Sequence, residues 1–217
     1  MPTAEQLRAN MVESQLRTNR INSDRVINAF RTVPRENFVA PERRAFAYVD
    51  EDLPVAPGRF LMEPMVLGRL IQEAAPTPEE KILLVGAATG YTAALLSLLG
   101  ADVVALEDNA DLIAIGRERL GELGIENVTF VEGELTKGHA AGAPYDLVFI
   151  DGAVEEVPAA IVEQIKDGGR LAAVQVIDGV GKGVIGRRSG AGFGVFDFMD
   201  AAVPVLPGFS KPKTFVF

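Results

Sequence analysis

A short turn of small residues follows an apolar run near the middle of the chain. Residues 82–85 lead directly into the turn Gly86 to Gly90, and a second apolar run, residues 93–99, comes next. A strand, turn and helix in this order place backbone amides and a helix N-terminus beside a bound group. The turn therefore predicts a nucleoside-type cofactor. Because it lacks the G-x-G-x-x-G spacing of a dinucleotide fingerprint, it disfavours a nicotinamide-dependent oxidoreductase.

An acidic residue stands about 20 residues beyond this turn, the spacing at which a carboxylate can bind a ribose. Glu107 ends the apolar run 103–106. We therefore predict that Glu107 accepts hydrogen bonds from both ribose hydroxyls rather than forming a solvated strand end. The neighbouring Asp108 has two interpretations, a cofactor contact or the cap of a helix that begins near Ala110.

Two further acidic residues end predicted strands. Glu134 follows Gly133 after the strand candidate 128–131. It has two equal interpretations, an acceptor for an adenine amino group and an exposed turn residue. Asp151 follows the strand candidate 147–150, and the carboxyl edge of a parallel sheet faces the ligand crevice. We predict that Asp151 lines this crevice, with a local turn role as the competing interpretation.

Strand and helix patterns alternate from residue 81 onward. Strands are predicted over residues 82–85, 102–106, 128–131, 147–150 and 170–176, and helices over residues 91–99, 110–123 and 157–165. This alternation predicts a parallel sheet with right-handed crossovers. A turn is expected at residues 167–169.

The two ends of the chain have different patterns. The N-terminal part predicts helices over residues 3–18, from residues 22–24 to Pro34, and from Pro64 towards Pro76, with an irregular connector between the last two. The runs 180–187 and 193–199 predict an antiparallel hairpin. The fold class is therefore α/β, a doubly wound, mostly parallel, Rossmann-like sheet with an N-terminal helical cap and a C-terminal hairpin. The expected division is a cap with the substrate-loop region over residues 1–78 and a cofactor domain over 79–217, together one compact unit.

The composition limits the classes of function. The chain has 217 residues, a formal net charge of −9, one histidine and no cysteine. These counts exclude disulfides, a thiol nucleophile and a histidine-rich metal site, and the charge argues against nucleic-acid binding. Because no apolar run reaches the roughly 20 residues of a membrane helix and residues 1–6 lack a signal pattern, we expect a cytoplasmic protein without a membrane partner. The early arginines are interpreted as a solvated helix face: Arg17, Arg20, Arg25, Arg31, Arg35, Arg43 and Arg44.

The C-terminal tail carries bulky apolar residues, at positions 204–209 and 214–217. Packing onto the sheet is the first interpretation. A surface for self-association, as in a homodimer, or for another partner is the second.

Several motifs together resemble the protein-L-isoaspartate O-methyltransferase family, within the class I S-adenosylmethionine-dependent methyltransferases. The resemblance covers roughly residues 8–175, and its N-terminal motifs are more specific than the glycine turn. It is carried by residues 11–17, 33–39, 48–54, 86–91, Glu107, residues 127–129, 145–146 and 168–171.

The resemblance implies S-adenosylmethionine as the cofactor. It also implies the cofactor-binding residues Gly86, Ala87, Ala88, Thr89, Gly90, Tyr91, Glu107, Asp108, Gly133, Glu134 and Asp151. The acceptor side corresponds to the family's substrate loop, which here consists of Arg59, Phe60, Leu61, Met62 and Glu63. No metal is implied.

The sequence departs from the family at several of these positions. Met62 stands where a serine is associated with catalysis, and a thioether cannot donate a strong hydrogen bond. Phe60 replaces a threonine, Leu84 an acidic residue and Ala88 the middle glycine of the turn. Because a carboxylate acceptor is already ionised near neutral pH, methyl transfer to it requires no general base. We therefore expect the loop to position the acceptor rather than activate it.

The predicted function is S-adenosylmethionine-dependent O-methylation of a carboxylate in protein repair. The partner would be a protein or peptide that carries isoaspartate, or a small carboxylate acceptor. Two alternatives remain at this point. The chain could be a degenerate methyltransferase fold that serves as a binding or regulatory protein, or a methyltransferase for a different acceptor.

Overall fold

A seven-stranded sheet forms the centre of the computed structural model, which describes residues 2–100 and 102–211. The strands within these residues are β1 (Leu53–Ala56), β2 (Arg59–Leu61), β3 (Lys81–Val85), β4 (Asp102–Glu107), β5 (Val128–Glu132), β6 (Tyr145–Val154), β7 (Ile165–Ile177), β8 (Val180–Ser189) and β9 (Gly192–Asp200). The α-helices are α1 (Ala4–Met11), α2 (Asp24–Thr32), α3 (Pro64–Ala74), α4 (Tyr91–Leu98), α5 (Ala110–Glu122) and α6 (Ala159–Val162).

The large sheet has the order β5-β4-β3-β6-β7-β8-β9. Strands β5 to β7 in this order are parallel, whereas β8 and β9 join them as an antiparallel hairpin. The predicted fold class is thereby confirmed. Because the chain crosses from β5 over β3 to β6, the order of strands reverses beside β3, and ligand crevices form at such a reversal. The glycine turn after β3 thus lies between the carboxyl ends of β4 and β6.

Strand β3, in the interior of the sheet, is apolar because both of its faces are covered. All residues from Ile82 to Val85 are fully buried. Leu84 pairs in register with Ala105 of β4 and Phe149 of β6. The position at which the family usually has an acidic residue therefore packs in the apolar core of this chain.

The N-terminal cap packs on the sheet through aromatic residues. Phe30 of α2 and Phe38 contact the ring of Tyr91 edge-on, with centroid distances of 6.3 and 5.5 Å. One buried apolar cluster includes Phe30, Leu67 of α3 and Phe149 of β6. These contacts cross the boundary expected near residue 78, and the division into 1–78 and 79–217 stays a prediction.

Three local predictions differ from the structure. The helix expected over 157–165 is only the single turn α6, because Ile165 already pairs with Tyr145 in the sheet. The turn expected at 167–169 is an irregularity within β7, where Gly168 has a φ of +79°. The connector before Pro64 contains the hairpin of β1 and β2.

The first predicted helix also changes its character along its length. It is α-helical only to Met11, followed by a π-helical turn, Val12–Leu16, and a 3-10 turn, Arg17–Asn19. Here the Ser14 hydroxyl donates to the carbonyl of Asn10 at 2.7 Å. Side chains that compete for main-chain carbonyls in this way disturb regular helices.

The tail packs onto the sheet as far as the structure describes it. Val205 forms a parallel bridge with Ala153, and Leu206 and Phe209 are buried. This confirms the first interpretation for residues 204–209, whereas residues 214–217 lie outside the described residues. Within residues 2–100 and 102–211, none of the helices has the length and apolarity that a bilayer crossing requires.

Candidate functional site

The glycine turn is fixed to the end of β4. The amides of Gly86 and Ala87 donate to the carbonyl of Leu106 at 2.9 and 3.1 Å. Gly86 and Gly90 have φ values of +80° and +92°, and Ala88 has a φ of +47°. A left-handed conformation costs a residue with a Cβ about 1 kcal/mol. This cost explains why glycine suits position 88 and why alanine there is a strained substitution.

Glu107 lies beside this turn with its carboxylate held by main-chain amides. Its side chain is fully buried. Oε2 accepts from the amide of Ala88 at 2.8 Å, and Oε1 accepts from the amides of Asp108 and Asn109 at 3.0 and 3.2 Å. Burial raises the pKa of Glu107, and the nearby Asp108 raises it further. The turn and Glu107, which the sequence predicted to bind one cofactor, thus lie in contact, and the ribose role of Glu107 stays a prediction.

Arg59 provides the charge partner of Glu107, which the sequence did not reveal. Its Nε lies 3.0 Å from Oε1 and 3.3 Å from Oε2 of Glu107, and its Nη2 lies 2.5 Å from Asp108. Its Nη1 donates to the carbonyl of Gly58 at 3.1 Å. The side chain of Arg59 is only 5% exposed. The guanidinium therefore binds the two oxygens with which Glu107 was predicted to accept from the ribose hydroxyls.

The residues after β4 and β5 differ in their surroundings. The amide of Gly133 donates to the carbonyl of Glu107 at 3.1 Å, which joins the ends of the two strands. The carboxylate of Glu134 is exposed and lies 2.7 Å from Lys137. Asn109, not Asp108, caps α5 through its side chain, since Asn109 accepts from the amides of Asp111 and Leu112. The capping interpretation of Asp108 was therefore wrong.

Asp151 lies in the buried part of β6, on the other side of the turn. Among the described residues, none donates a hydrogen bond to its Oδ1. Burial raises the pKa of Asp151 to about 7, although Thr92 and Arg35 oppose the shift. Such a carboxyl group can hold or release a proton near neutral pH.

Arg35 is fully buried between the cap and the acceptor segment. Its Nε donates to the carbonyl of Ala47 at 2.8 Å, and its Nη2 donates to the carbonyl of Met62 at 3.0 Å. The guanidinium also lies 4.9 Å from the ring centre of Tyr91. The interpretation of Arg35 as part of a solvated face was therefore wrong. Its position in the motif 33–39 was the available signal, because that motif carried the family resemblance.

The other early arginines vary in their contacts. Arg25 donates to the carbonyls of Pro76, at 3.1 Å, and of Leu99. The remaining members of the set are exposed: Arg17, Arg20, Arg31, Arg43 and Arg44. A solvated face is thus correct for most of this set.

The acceptor segment lies beside Asp151. Leu61 and Met62 are buried, and the amide of Glu63 donates to Asp52 at 2.8 Å. Burial and the neighbouring Asp52 and Asp50 raise the pKa of Glu63 to about 7. The side chain of Met62 is thus held in an apolar setting where the family has a hydroxyl.

Thr89 and Tyr91, from the end of the turn and the start of α4, contact the cap. The hydroxyl of Thr89 donates to the carbonyl of Phe38 at 2.7 Å. The ring of Tyr91 lies between Phe30 and Phe38, as described above. Both side chains contribute to the packing of the cap on the sheet.

The types of group at this site suit a nucleoside cofactor. A buried carboxylate stands at the end of β4, and Gly86 and Gly90 allow close approach at the end of β3. On the Asp151 side, the cavity lined by Phe60 and Met62 has a volume of about 10 Å³. This is room for no more than one water molecule. On the other side, both oxygens of Glu107 are bound by Arg59. The site therefore has the right groups, with its buried carboxylate already bound by the chain itself.

Comparisons with known proteins identify the family. The family model described as protein-L-isoaspartate(D-aspartate) O-methyltransferase matches residues 7–180. The chain is similar to a protein-L-isoaspartate O-methyltransferase from Koribacter versatilis (strain Ellin345), at 39% identity over 164 residues, 76% of this chain and 74% of that protein. The same name is carried by a relative from Methanoregula boonei, at 36% identity over 164 residues and 76% of each chain.

A solved structure shares the fold. It is a Plasmodium falciparum protein, described as a candidate protein-L-isoaspartate O-methyltransferase, in complex with S-adenosyl-L-homocysteine. The TM-score is 0.79 at 16% identity, over 95% of this chain and 99% of that chain. With its matched motifs and its strand order, the chain belongs to the protein-L-isoaspartate(D-aspartate) O-methyltransferase family, whose members use S-adenosylmethionine.

Proposed function

We propose that this chain is an S-adenosylmethionine-dependent O-methyltransferase that methylates the carboxylate of isoaspartate in proteins or peptides. The observation that carries the proposal is the carboxylate of Glu107, which main-chain amides hold beside the glycine turn, in a chain that the family model matches over residues 7–180. A buried, oriented carboxylate of this kind suits the two hydroxyls of a ribose.

The cofactor would lie along the carboxyl ends of β3, β4 and β6. It would supply an electrophilic methyl group on a sulfonium. Glu107 would bind the ribose, the turn would approach the amino-acid part, and the adenine would lie near Gly133 and Glu134. The proposed set is Gly86, Ala87, Ala88, Thr89, Gly90, Tyr91, Glu107, Asp108, Gly133, Glu134 and Asp151. For Thr89 and Tyr91 the supporting role is indirect, since their side chains pack against the cap.

The acceptor segment, Arg59 to Glu63, would position the substrate. The acceptor carboxylate is ionised near neutral pH, so no proton would have to be removed. Its oxygen would take the methyl group as the sulfur–methyl bond breaks, and the neutral thioether, S-adenosylhomocysteine, would leave. Catalysis then rests on alignment and on the exclusion of water. Arg35 supports this alignment because it binds the carbonyl of Met62 and thereby fixes the segment.

A second candidate function is a binding or regulatory protein without methylation. Met62 is buried where the family has a serine. Arg59 already binds the carboxylate of Glu107, which is the proposed partner of the ribose. Both observations favour a chain that has lost activity on isoaspartate.

Titration calorimetry with S-adenosylhomocysteine, followed by a methyl-acceptance assay, tests these functions. We expect binding and methyl transfer to an isoaspartyl peptide, with no transfer to the matched aspartyl peptide. Binding without transfer to either peptide would favour another acceptor or the regulatory function. Absence of binding at millimolar ligand would overturn the enzyme proposal.

Met62→Ser separates the acceptor question from the cofactor question. The variant restores a hydroxyl in the acceptor segment and should raise the rate on the isoaspartyl peptide without changing affinity for S-adenosylhomocysteine. Met65→Ser, three residues later in α3, is the matched control and should not raise the rate. An unchanged rate in a folded Met62→Ser protein would show that the hydroxyl is not what limits activity.

A homodimer and a cytoplasmic location remain further proposals. The homodimer is supported by the edge strand β9, which exposes Val195 and Phe196. Unpaired edge strands readily associate with another chain. Light scattering over a range of concentrations tests it, and a monomer throughout would contradict it. Cell fractionation tests the location.

A further inference from the structure

The carboxylate of Glu107 has no free acceptor direction on the side of the crevice. An ionised carboxylate offers about four lone-pair positions. Main-chain amides of Ala88, Asp108 and Asn109 take three contacts, and the Nε of Arg59 lies within hydrogen-bonding distance of both oxygens. A ribose diol needs the positions that Arg59 uses, because the amides are fixed by the chain. The guanidinium and a ribose would therefore compete for the same oxygens.

Each nitrogen of the Arg59 guanidinium has a hydrogen-bond partner. Its three nitrogens contact Glu107, Asp108 and the carbonyl of Gly58. Arg59 begins β2 directly after the turn of the β1–β2 hairpin. Its release therefore requires movement of the hairpin turn or of its own side chain.

The tail closes the opposite side of the same crevice. The amide of Ala153 donates to the carbonyl of Pro204 at 3.0 Å, and the amide of Leu206 donates to the carbonyl of Ala153 at 2.9 Å. These bonds hold the side chain of Leu206 against two glycines. A Cβ at Gly86 would lie 3.1 Å from Leu206 Cδ1, and a Cβ at Gly152 would lie 2.5 Å from Leu206 Cγ. The close approach that these glycines permit is thus taken by a leucine of the chain itself.

The hairpin and the tail also contact each other. A Cβ at Gly58 would lie 2.7 Å from Cγ of Pro207. The two segments thus meet beside Asp151 and Gly152, and the cavity that they line there has a volume of about 10 Å³.

We infer that the free protein closes its own cofactor crevice, with Arg59 in the position of the ribose at Glu107 and Leu206 on the glycines of β3 and β6. Cofactor binding is then an exchange, in which the ribose replaces the guanidinium and the tail moves off Gly86 and Gly152. The inference rests on the proposed function, since it assumes that the crevice binds S-adenosylmethionine. The apparent affinity is lowered by the fraction of molecules that are open.

Calorimetry with S-adenosylhomocysteine at pH 8 tests this exchange. Arg59→Ala and Leu206→Ala should each bind about tenfold more tightly than the wild type, because each removes one part of the closure. Arg170→Ala, which removes a comparable ion pair from another part of the sheet, and Leu120→Ala, a buried leucine of α5, are the controls. Both controls should lose stability without gaining affinity.

The outcomes separate the inference from the proposed function. If the wild type binds and the Arg59→Ala and Leu206→Ala variants bind no better, self-closure is overturned while the enzyme proposal stands. If the variants bind and the wild type does not, self-closure is supported, whereas the proposal that the wild-type chain is an active methyltransferase is overturned. If no folded variant binds, both ideas are overturned.

Hydrogen exchange of the wild type gives a test that does not depend on any variant folding. Addition of S-adenosylhomocysteine should slow exchange at residues 86–90 and 107–109 and accelerate it in the hairpin, residues 53–61. Ligand that protects the hairpin together with the other two segments would overturn the exchange between Arg59 and the ribose.

Discussion

Two arginine–glutamate pairs lie at opposite ends of the parallel strands and differ in both geometry and setting. Arg170 of β7 binds Glu80 through two parallel contacts of 2.7 and 2.8 Å. It also binds the carbonyls of Ala74 and Ala75, at the end of α3. Arg59 binds Glu107 through Nε, together with Asp108. The first pair fixes a helix to the sheet, whereas the second fills a crevice.

The pKa values of the two glutamates shift in opposite directions. For Glu80, burial raises the pKa, but the hydrogen bonds from Arg170 and the amide of Thr77 outweigh it, so the pKa lies below its usual value. For Glu107, burial and Asp108 outweigh Arg59, and the pKa is raised. Arg59 therefore does not fully compensate the buried charge of Glu107. The two pairs thus differ in how far the arginine offsets the burial of its carboxylate, and we expect Arg170 to be a structural partner and Arg59 to be one that a ligand replaces.

Among the substitutions that test this comparison, Glu107→Ala should have the largest effect on stability and on ligand affinity. It leaves the guanidinium of Arg59 without its main partner and leaves the amide of Ala88 without an acceptor, so we expect a loss of about 3–5 kcal/mol in the free energy of unfolding. Binding of S-adenosylhomocysteine should be lost as well. Urea unfolding and calorimetry measure the two effects. Retention of wild-type affinity would contradict the ribose role.

Arg170→Ala should lower the free energy of unfolding by about 2 kcal/mol, because hydrogen bonds to a charged, partly buried group are lost. Affinity for S-adenosylhomocysteine should not change, in contrast to Arg59→Ala. Urea unfolding and calorimetry again provide the measurements. A large change in affinity would show that the two pairs are not functionally distinct.

Because the pKa of Asp151 is raised, we predict that the free energy of unfolding depends on pH. Its pKa rises from 3.8 to about 7 through burial, so the folded state holds a proton that the unfolded state releases. The stability from this group is present below its unfolded pKa and is lost as the pH rises through about 7. Between about pH 6 and pH 7.5 the loss should be about 1 kcal/mol.

Asp151→Asn is the comparison for this prediction. The amide does not titrate, so the decline in stability over this range should be smaller than in the wild type. The remaining decline would come from Glu63, whose pKa is also raised to about 7. Urea unfolding at a series of pH values measures both proteins, and identical slopes would refute the assignment to Asp151.

Glu134→Gln should have the smallest effect. Glu134 is exposed and bound to Lys137, unlike the buried Glu107. We expect no measurable change in unfolding and a loss of affinity for S-adenosylhomocysteine of about threefold or less, the value of one modest hydrogen bond. A loss as large as that of Glu107→Ala would assign the main nucleoside contact to the wrong carboxylate.

The sequence predicted most strands and helices in their order along the chain, because the apolar pattern of each element is local. Strands β3 to β6 and helices α4 and α5 each carry their own apolar pattern, and Gly86 to Gly90 form the turn between two of them. The same reasoning failed at residues 157–165, where an apolar run joined the sheet after only one helical turn. There the pairing of Ile165 with Tyr145, a contact between distant residues, overrode the local preference.

The site shows the same division. By itself the sequence determined which groups stand at the carboxyl ends of the strands, since register follows from the apolar pattern within each strand. Only the tertiary structure decided which groups meet across the crevice. The partner of Glu107 lies 48 residues away in Arg59, the glycines are covered by Leu206 of the tail, and Arg35 is buried beneath the acceptor segment. A charged or apolar side chain acquires its partner from the path of the whole chain, and no local pattern encodes that path.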